Sequence, residues 1–135
     1  MFYKKDDTFV QNISSNGVSK KDSKLFRKIV SSSTFSLCPR GFGPTSFRLY
    51  ESLQLNSIPI YVSDEFVLPY SDKIEWEKLC LLINLDEIHT IEERVDGLIN
   101  SGEYRNFIEY GSYCYEEFFN FDFVINNIIN VVKKF

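Results

Sequence analysis

An α/β fold, an open parallel sheet flanked by helices, follows from three features of this sequence. Short apolar runs bounded by Pro, Asp or Asn alternate with segments whose apolar residues recur at helical spacing. One run, Ile58-Pro59-Ile60-Tyr61-Val62, is apolar throughout, as a strand buried on both faces must be. The last third of the chain keeps a helical period to its end.

The opening is polar and irregular, with a strand remnant expected over residues 8–13 and a turn at Asn16-Gly17. Residues 19–29 read as a helix, because Leu25, Phe26, Ile29 and Val30 share one face with Lys and Asp between them. Residues 34–38 suit a strand that Pro39 ends. Gly41-Phe42-Gly43-Pro44 is a tight loop. A second helix is expected from Pro44 or Thr45 to about Leu55, since Pro is accepted in a first turn and Thr45 or Ser46 can cap it. Residues 58–62 form the buried strand, and a third strand is expected over 78–84. Helices follow over 86–99, broken at Ser101-Gly102, then 104–119, then 123–134 with Val124, Ile128, Ile129 and Val132 on its apolar side. No repeat, linker or shift in composition divides residues 1–135, which read as one domain with a helical part from 86 to 135.

Composition narrows the function. The chain has 135 residues with 44% apolar side chains, enough for a real core. Its net charge of -4 leaves no large basic face, so nucleic acid is not an expected partner. Cys38, Cys80 and Cys114 lie far apart in odd number, which suits buried thiols in a reducing compartment better than a disulfide framework. No run of about 18 apolar residues is present, and the first residues are too polar for a signal peptide. A cytoplasmic location is therefore expected, with any membrane association made through partners. Asn12-Ile13-Ser14 fits a glycosylation triplet, which carries little without a secretory signal. His89, the single histidine, has no nucleophile or metal partner at fitting spacing and reads as a solvated or capping residue.

The segment from Cys38 to Glu51 carries the chemistry. Its loop falls at the carboxyl end of a strand, where open α/β sheets bind ligands. Gly41 and Gly43 allow close backbone approach and positive φ. The amino end of the following helix offers free N–H groups and partial positive charge to a phosphate. Thr45 and Ser46 add hydroxyls there. Arg40 before the loop and Arg48 one turn into the helix are able to fork onto phosphate oxygens. Glu51, three residues after Arg48, neighbours it and offers a carboxylate to ribose hydroxyls. The bland alternative stands beside this: Gly-x-Gly commonly marks only a turn, and an Arg–Glu pair at this spacing is commonly a surface ion pair of little energetic weight.

Residues 36–76, SLCPRGFGPTSFRLYESLQLNSIPIYVSDEFVLPYSDKIEW, resemble the C-terminal signature of exostosin-type glycosyltransferases. The shared features are the Cys-Pro-Arg-Gly lead, the Ser-x-Arg-x-x-Glu helix, the Ile-Pro-Ile-Tyr strand, an acidic turn, Leu-Pro-Tyr and Ile-x-Trp. Asn56 stands where the family usually has glycine, and Asn is the next-best residue for a left-handed helix stop. The resemblance implies a Rossmann-like single lobe of a two-lobed, GT-B-like enzyme that holds a nucleotide sugar, commonly a UDP-sugar. It places Arg48 on the diphosphate, Glu51 on the ribose, Ser46 and the Gly41–Gly43 loop near the phosphates, and Asp64 and Glu65 beside the sugar or base. Leu68-Pro69-Tyr70 and Trp76 read as packing and turn elements.

By this resemblance the chain is expected to move a sugar from its nucleotide to a glycan hydroxyl with inversion. The catalytic base is unassigned, no cofactor or metal is expected, and the acceptor contacts fall to a separate N-terminal Rossmann-like domain or subunit, which the residues before Ser36 are too few to form. The other expectation is a non-catalytic nucleotide-sugar-binding or assembly module.

Overall fold

The computed structural model describes Phe2–Lys4, Asp7–Phe9 and residues 20–134. Its centre is the strand read most directly from sequence, β4 (Ile58–Val62), with every residue buried. Parallel neighbours flank it: β3 (Phe35–Pro39) on one side and β5 (Leu81–Ile83) on the other. Beyond β3 lie β1 (Phe2–Lys4) and β2 (Asp7–Phe9), both antiparallel, in the order β2-β1-β3-β4-β5. The expected parallel sheet is thus present with an antiparallel border. Of the strand expected over 8–13, Thr8 and Phe9 belong to β2 and residues 10–13 lie outside the described residues. The Asn16-Gly17 turn lies outside them.

Pro59 in a central strand is tolerated for a definable reason. Alternate residues of β4 face opposite neighbours: Ile58 N–H donates to Thr34 O at 2.8 Å, on the β3 side, and Ser63 N–H to Ile83 O at 3.1 Å, on the β5 side. Pro59 therefore faces β5, but pairing with β5 starts only at Ile60 opposite Leu81. The missing donor falls where no ladder bond is required.

The alternation of side chains gives two cores. On one face Cys38 and Tyr61 meet Leu49 and Leu53 of α2 (Phe47–Gln54), Trp76, Leu79 and Cys114. On the other, Phe35, Ile58, Ile60, Val62 and Ile83 meet Val95 and Leu98 of α3 (Ile91–Ser101). α4 (Tyr104–Cys114) sends Tyr104, Phe107 and Ile108 to the second core and Tyr110 to the first. α1 (Lys20–Ser31) precedes β3 and buries Val30. α5 (Phe121–Val132) closes the described chain.

Several boundaries differ from the sequence reading. α2 starts at Phe47, because Pro44 and Thr45 are used to close the preceding loop. The third strand shrinks to Leu81–Ile83, since Trp76–Lys78 forms a 3-10 turn that drops Leu79 and Cys80 into the core. Residues 85–90 are 3-10 before α3 begins, and the helix expected over 104–119 relaxes into a π-helical turn at Tyr115–Phe119. Gly102, at φ 77°, ends α3 where the break was expected. Asn56 at φ 57° is the left-handed stop after α2. Trp76 and Leu68-Pro69-Tyr70 pack as expected: Trp76 Nε1–H donates to Pro69 O at 2.9 Å, and the Tyr70 ring meets Phe118 and Phe119. All three cysteines are buried free thiols, and His89 is exposed. No helix among the described residues is long and apolar enough to cross a membrane.

Candidate functional site

The carboxyl ends of β3 and β4 carry the predicted residues because the strands are in register, Pro39 opposite Val62. The chain continues that pairing one step further, with Arg40 N–H donating to Val62 O at 2.9 Å. Arg40 and Asp64 are thereby brought together and form an ion pair across the strand ends, with both side chains partly exposed. The Arg40 guanidinium holds the Asp64 carboxyl below the usual carboxylate range. Glu65 is exposed beside it, in a turn tied by Glu65 N–H donating to Ser63 Oγ at 3.2 Å.

The loop is a closed unit. Gly41 N–H donates to Thr45 O at 3.0 Å. A Cβ on Gly41 would lie 3.3 Å from that same oxygen, so a side chain there would press the carbonyl outward by a few tenths of an ångström. Neither Gly41 nor Gly43 has positive φ, and Gly43 faces open space, so the expected left-handed backbone is absent from this loop. The closure is reached with ordinary torsions because a second tie holds the loop. Tyr61 Oη–H, reaching up from β4, donates to Pro44 O at 2.7 Å.

Ser46 occupies the N-cap position of α2 in extended conformation, yet its side chain makes no cap hydrogen bond. It is buried under the loop instead. The capping role expected of Thr45 or Ser46 is therefore not taken up, and the first amides of α2 stand at the loop without a side-chain oxygen on them. Arg48 is the second residue of α2, not one turn in. Its guanidinium carbon lies 5.8 Å from the centre of the Phe26 ring, at the seam between α1 and α2. Glu51 sits on the adjoining, exposed flank and lines an open groove with Phe47, Tyr50, Tyr115 and Phe119.

Arg40, Gly41, Gly43, Thr45 and Ser46 follow one another through a single strand-to-helix turn, with Asp64 and Glu65 just past the end of neighbouring β4, whereas the Arg48 side chain lies against Phe26 and Glu51 faces a separate groove. Beneath them Cys38 contacts Ser52 Oγ at 3.4 Å, and burial pushes its thiol up to about 12. Cys80 and Cys114 are raised by burial too, so none of the three supplies a thiolate near neutral pH. Sequence reasoning did not single out Tyr61 or Phe26. A tyrosine inside an otherwise apolar strand is a readable signal, since its hydroxyl needs a partner when buried. Phe26 gave no comparable signal.

Parallel strands whose carboxyl ends lead into helices define a Rossmann-like α/β domain. Residues 3–98 match the family described as Exostosin GT47 domain. The chain belongs to that family. It is 38% identical over 58 residues to a protein of Oryza sativa subsp. japonica named probable glucuronosyltransferase, covering 43% of this chain and 14% of that one. A probable beta-1,4-xylosyltransferase of Arabidopsis thaliana is 38% identical over 60 residues, 42% of this chain and 15% of its own. The exostosin-1 homolog of Caenorhabditis elegans is 34% identical over 58 residues, 43% and 15% respectively. The chain thus aligns with about a seventh of the length of these relatives.

Proposed function

We propose that this domain holds a nucleoside-diphosphate sugar, of which a UDP-sugar is our choice, at the carboxyl ends of β3 and β4. In this reading it is the donor half of a glycosyltransferase. The observation that supports it is the pinned Gly41–Thr45 loop, which leads from the Arg40–Asp64 pair at the strand ends into the first turn of α2, the turn that bears Arg48. The helix end and the guanidinium groups meet the diphosphate, and Glu51 accepts from ribose hydroxyls. A glycan hydroxyl oxygen attacks the anomeric carbon from the face opposite the diphosphate. The bond from that carbon to the phosphate oxygen breaks, its electron pair leaves with the diphosphate, and configuration inverts. Arg48 and the α2 amides stabilise the departing charge. The acceptor proton passes to a base from a separate domain or subunit.

Titration calorimetry of UDP into the full chain tests the site. Binding is expected, and Arg48→Gln should weaken it by tenfold or more, the loss of about 1.4 kcal/mol or more of a charge-assisted contact. Absence of binding by UDP, or an Arg48→Gln protein that binds like the parent, would sink the assignment. A second reading is a nucleotide-sugar-binding or assembly module without activity of its own. Nucleotide binding without sugar transfer to any glycan would favour it.

A further inference from the structure

α5 leaves most of its apolar residues exposed. Its inward side is held by Phe123, whose ring centre lies 6.1 Å from that of Tyr70 and 5.7 Å from that of Phe118, and by Asn127 Nδ2, 3.5 Å from Tyr70 Oη. Asn120 caps the helix, accepting from Phe123 N–H at 2.8 Å. Beside and opposite these anchors lie Phe121, Val124, Ile125, Ile128, Val131 and Val132, between 36% and 78% exposed, with Val124 at the rim of the groove that Glu51 and Phe119 line. Their spacing makes a continuous stripe at helical period. No residue of α5 is buried.

We propose that this stripe is the contact through which two copies of the chain pair, with their α5 helices antiparallel about a twofold axis. Area and charge support a second copy as the occupant. The six side chains expose roughly 500 Å² of apolar surface, against the ~800 Å² per partner of an ordinary stable interface, so the polar rim of the helix completes it. Charge sets the direction. Asp122 stands at the start of the helix, and Lys133 and Lys134 follow its end on the exposed surface. Antiparallel pairing brings Asp122, at the start of each helix, to the end of the other helix that bears Lys133 and Lys134, twice by symmetry, and opposes the helix dipoles. About the axis Ile125 faces Ile128, and Phe121 of each chain lies level with Val132 of the other. A lipid surface suits the helix less well, because its polar side is mostly Asn and Asp and the chain carries net charge -4.

Sedimentation equilibrium of the full chain between about 1 and 100 µM tests this, a range that reaches the weak end of specific association. A mass twice that of one chain is expected at the upper end. Ile128→Glu, and separately Val132→Glu, should return the monomer mass with an unchanged far-UV circular dichroism spectrum. Asp122→Lys should weaken the dimer several-fold, and D122K/K133D should restore it, although the double swap opposes the helix dipole. A monomer at about 100 µM overturns the proposal, as does a dimer indifferent to both glutamates. Failure of the double swap to restore pairing overturns the antiparallel arrangement. Binding of a monomeric chain to phosphatidylcholine vesicles, abolished by Ile128→Glu, would assign the stripe to membrane instead.

Discussion

Removing one oxygen tests how the candidate site is held. In Tyr61→Phe the ring stays, fully buried and edge-on to Phe66 at 5.7 Å, while the 2.7 Å hydrogen bond to Pro44 O is lost. Pro44 lies in a partly exposed loop, so water can replace the lost donor on its carbonyl. The cost to folding is then that of one ordinary hydrogen bond, about 1 kcal/mol. With a urea slope of about 1.5 kcal/mol/M for a chain of this size, the unfolding midpoint should fall by about 0.7 M. Binding should respond through the same energy. The hydroxyl favours the closed loop, so its loss reduces the binding-competent fraction and raises the apparent Kd for UDP at most about fivefold. Urea denaturation followed by Trp76 fluorescence and calorimetric titration of UDP give the two numbers. Unchanged stability together with unchanged affinity would refute the pinning role. A loss of affinity beyond about a hundredfold would refute it in another way, by making the hydroxyl a direct ligand contact.

Three further outcomes follow from the packing. The Cys38 thiol goes from its ordinary 9.0 to about 12 in the fold, and Cys80 and Cys114 are also raised. A raised value means the unfolded chain loses its protons first, so stability is intact below pH 9 and declines as pH rises towards 12. Each thiol contributes a slope of up to about 1.4 kcal/mol per pH unit, measurable by denaturation at pH 8 and pH 10. Gly111→Val should destabilise by about 2 kcal/mol in thermal unfolding, because a Cβ there would lie 3.1 Å from Leu53 Cδ2 and 3.7 Å from Leu79 Cβ. Asn56→Ala should cost about 1 kcal/mol at its φ of 57° while Asn56→Gly stays within about 0.5 kcal/mol of the parent; equal losses would show that the torsion is not what matters there.

The two faces of β4 explain why that strand was legible to the residue: five consecutive buried positions leave no periodicity to misread. Asn56 and Gly102 were legible because left-handed torsions demand particular residues. The start of α2 was not, since Pro44-Thr45 suits both a first helical turn and a loop, and only the Tyr61 and Gly41 hydrogen bonds decide between them. The third strand was read too long because Leu79 and Cys80 are buried by a 3-10 turn as completely as a strand would bury them. β1 was missed, as three residues carry no usable period. In the site, the Arg40–Asp64 pair depends on the register of β3 and β4, which sequence spacing does not supply. The apolar stripe of α5 was visible in the sequence, but its direction is set by Phe123 and Asn127 gripping Tyr70. A helical period tells which residues share a side, not which way that side turns.

The border of the sheet at β5 shows how the fold directs its associations. Ile83 O faces β4, so Leu82 O faces outward, and the Arg94 guanidinium of α3 already donates to it at 3.1 Å. An incoming strand would have to displace that cation and would find only three residues to pair with. Growth of the sheet from molecule to molecule is disfavoured at this border.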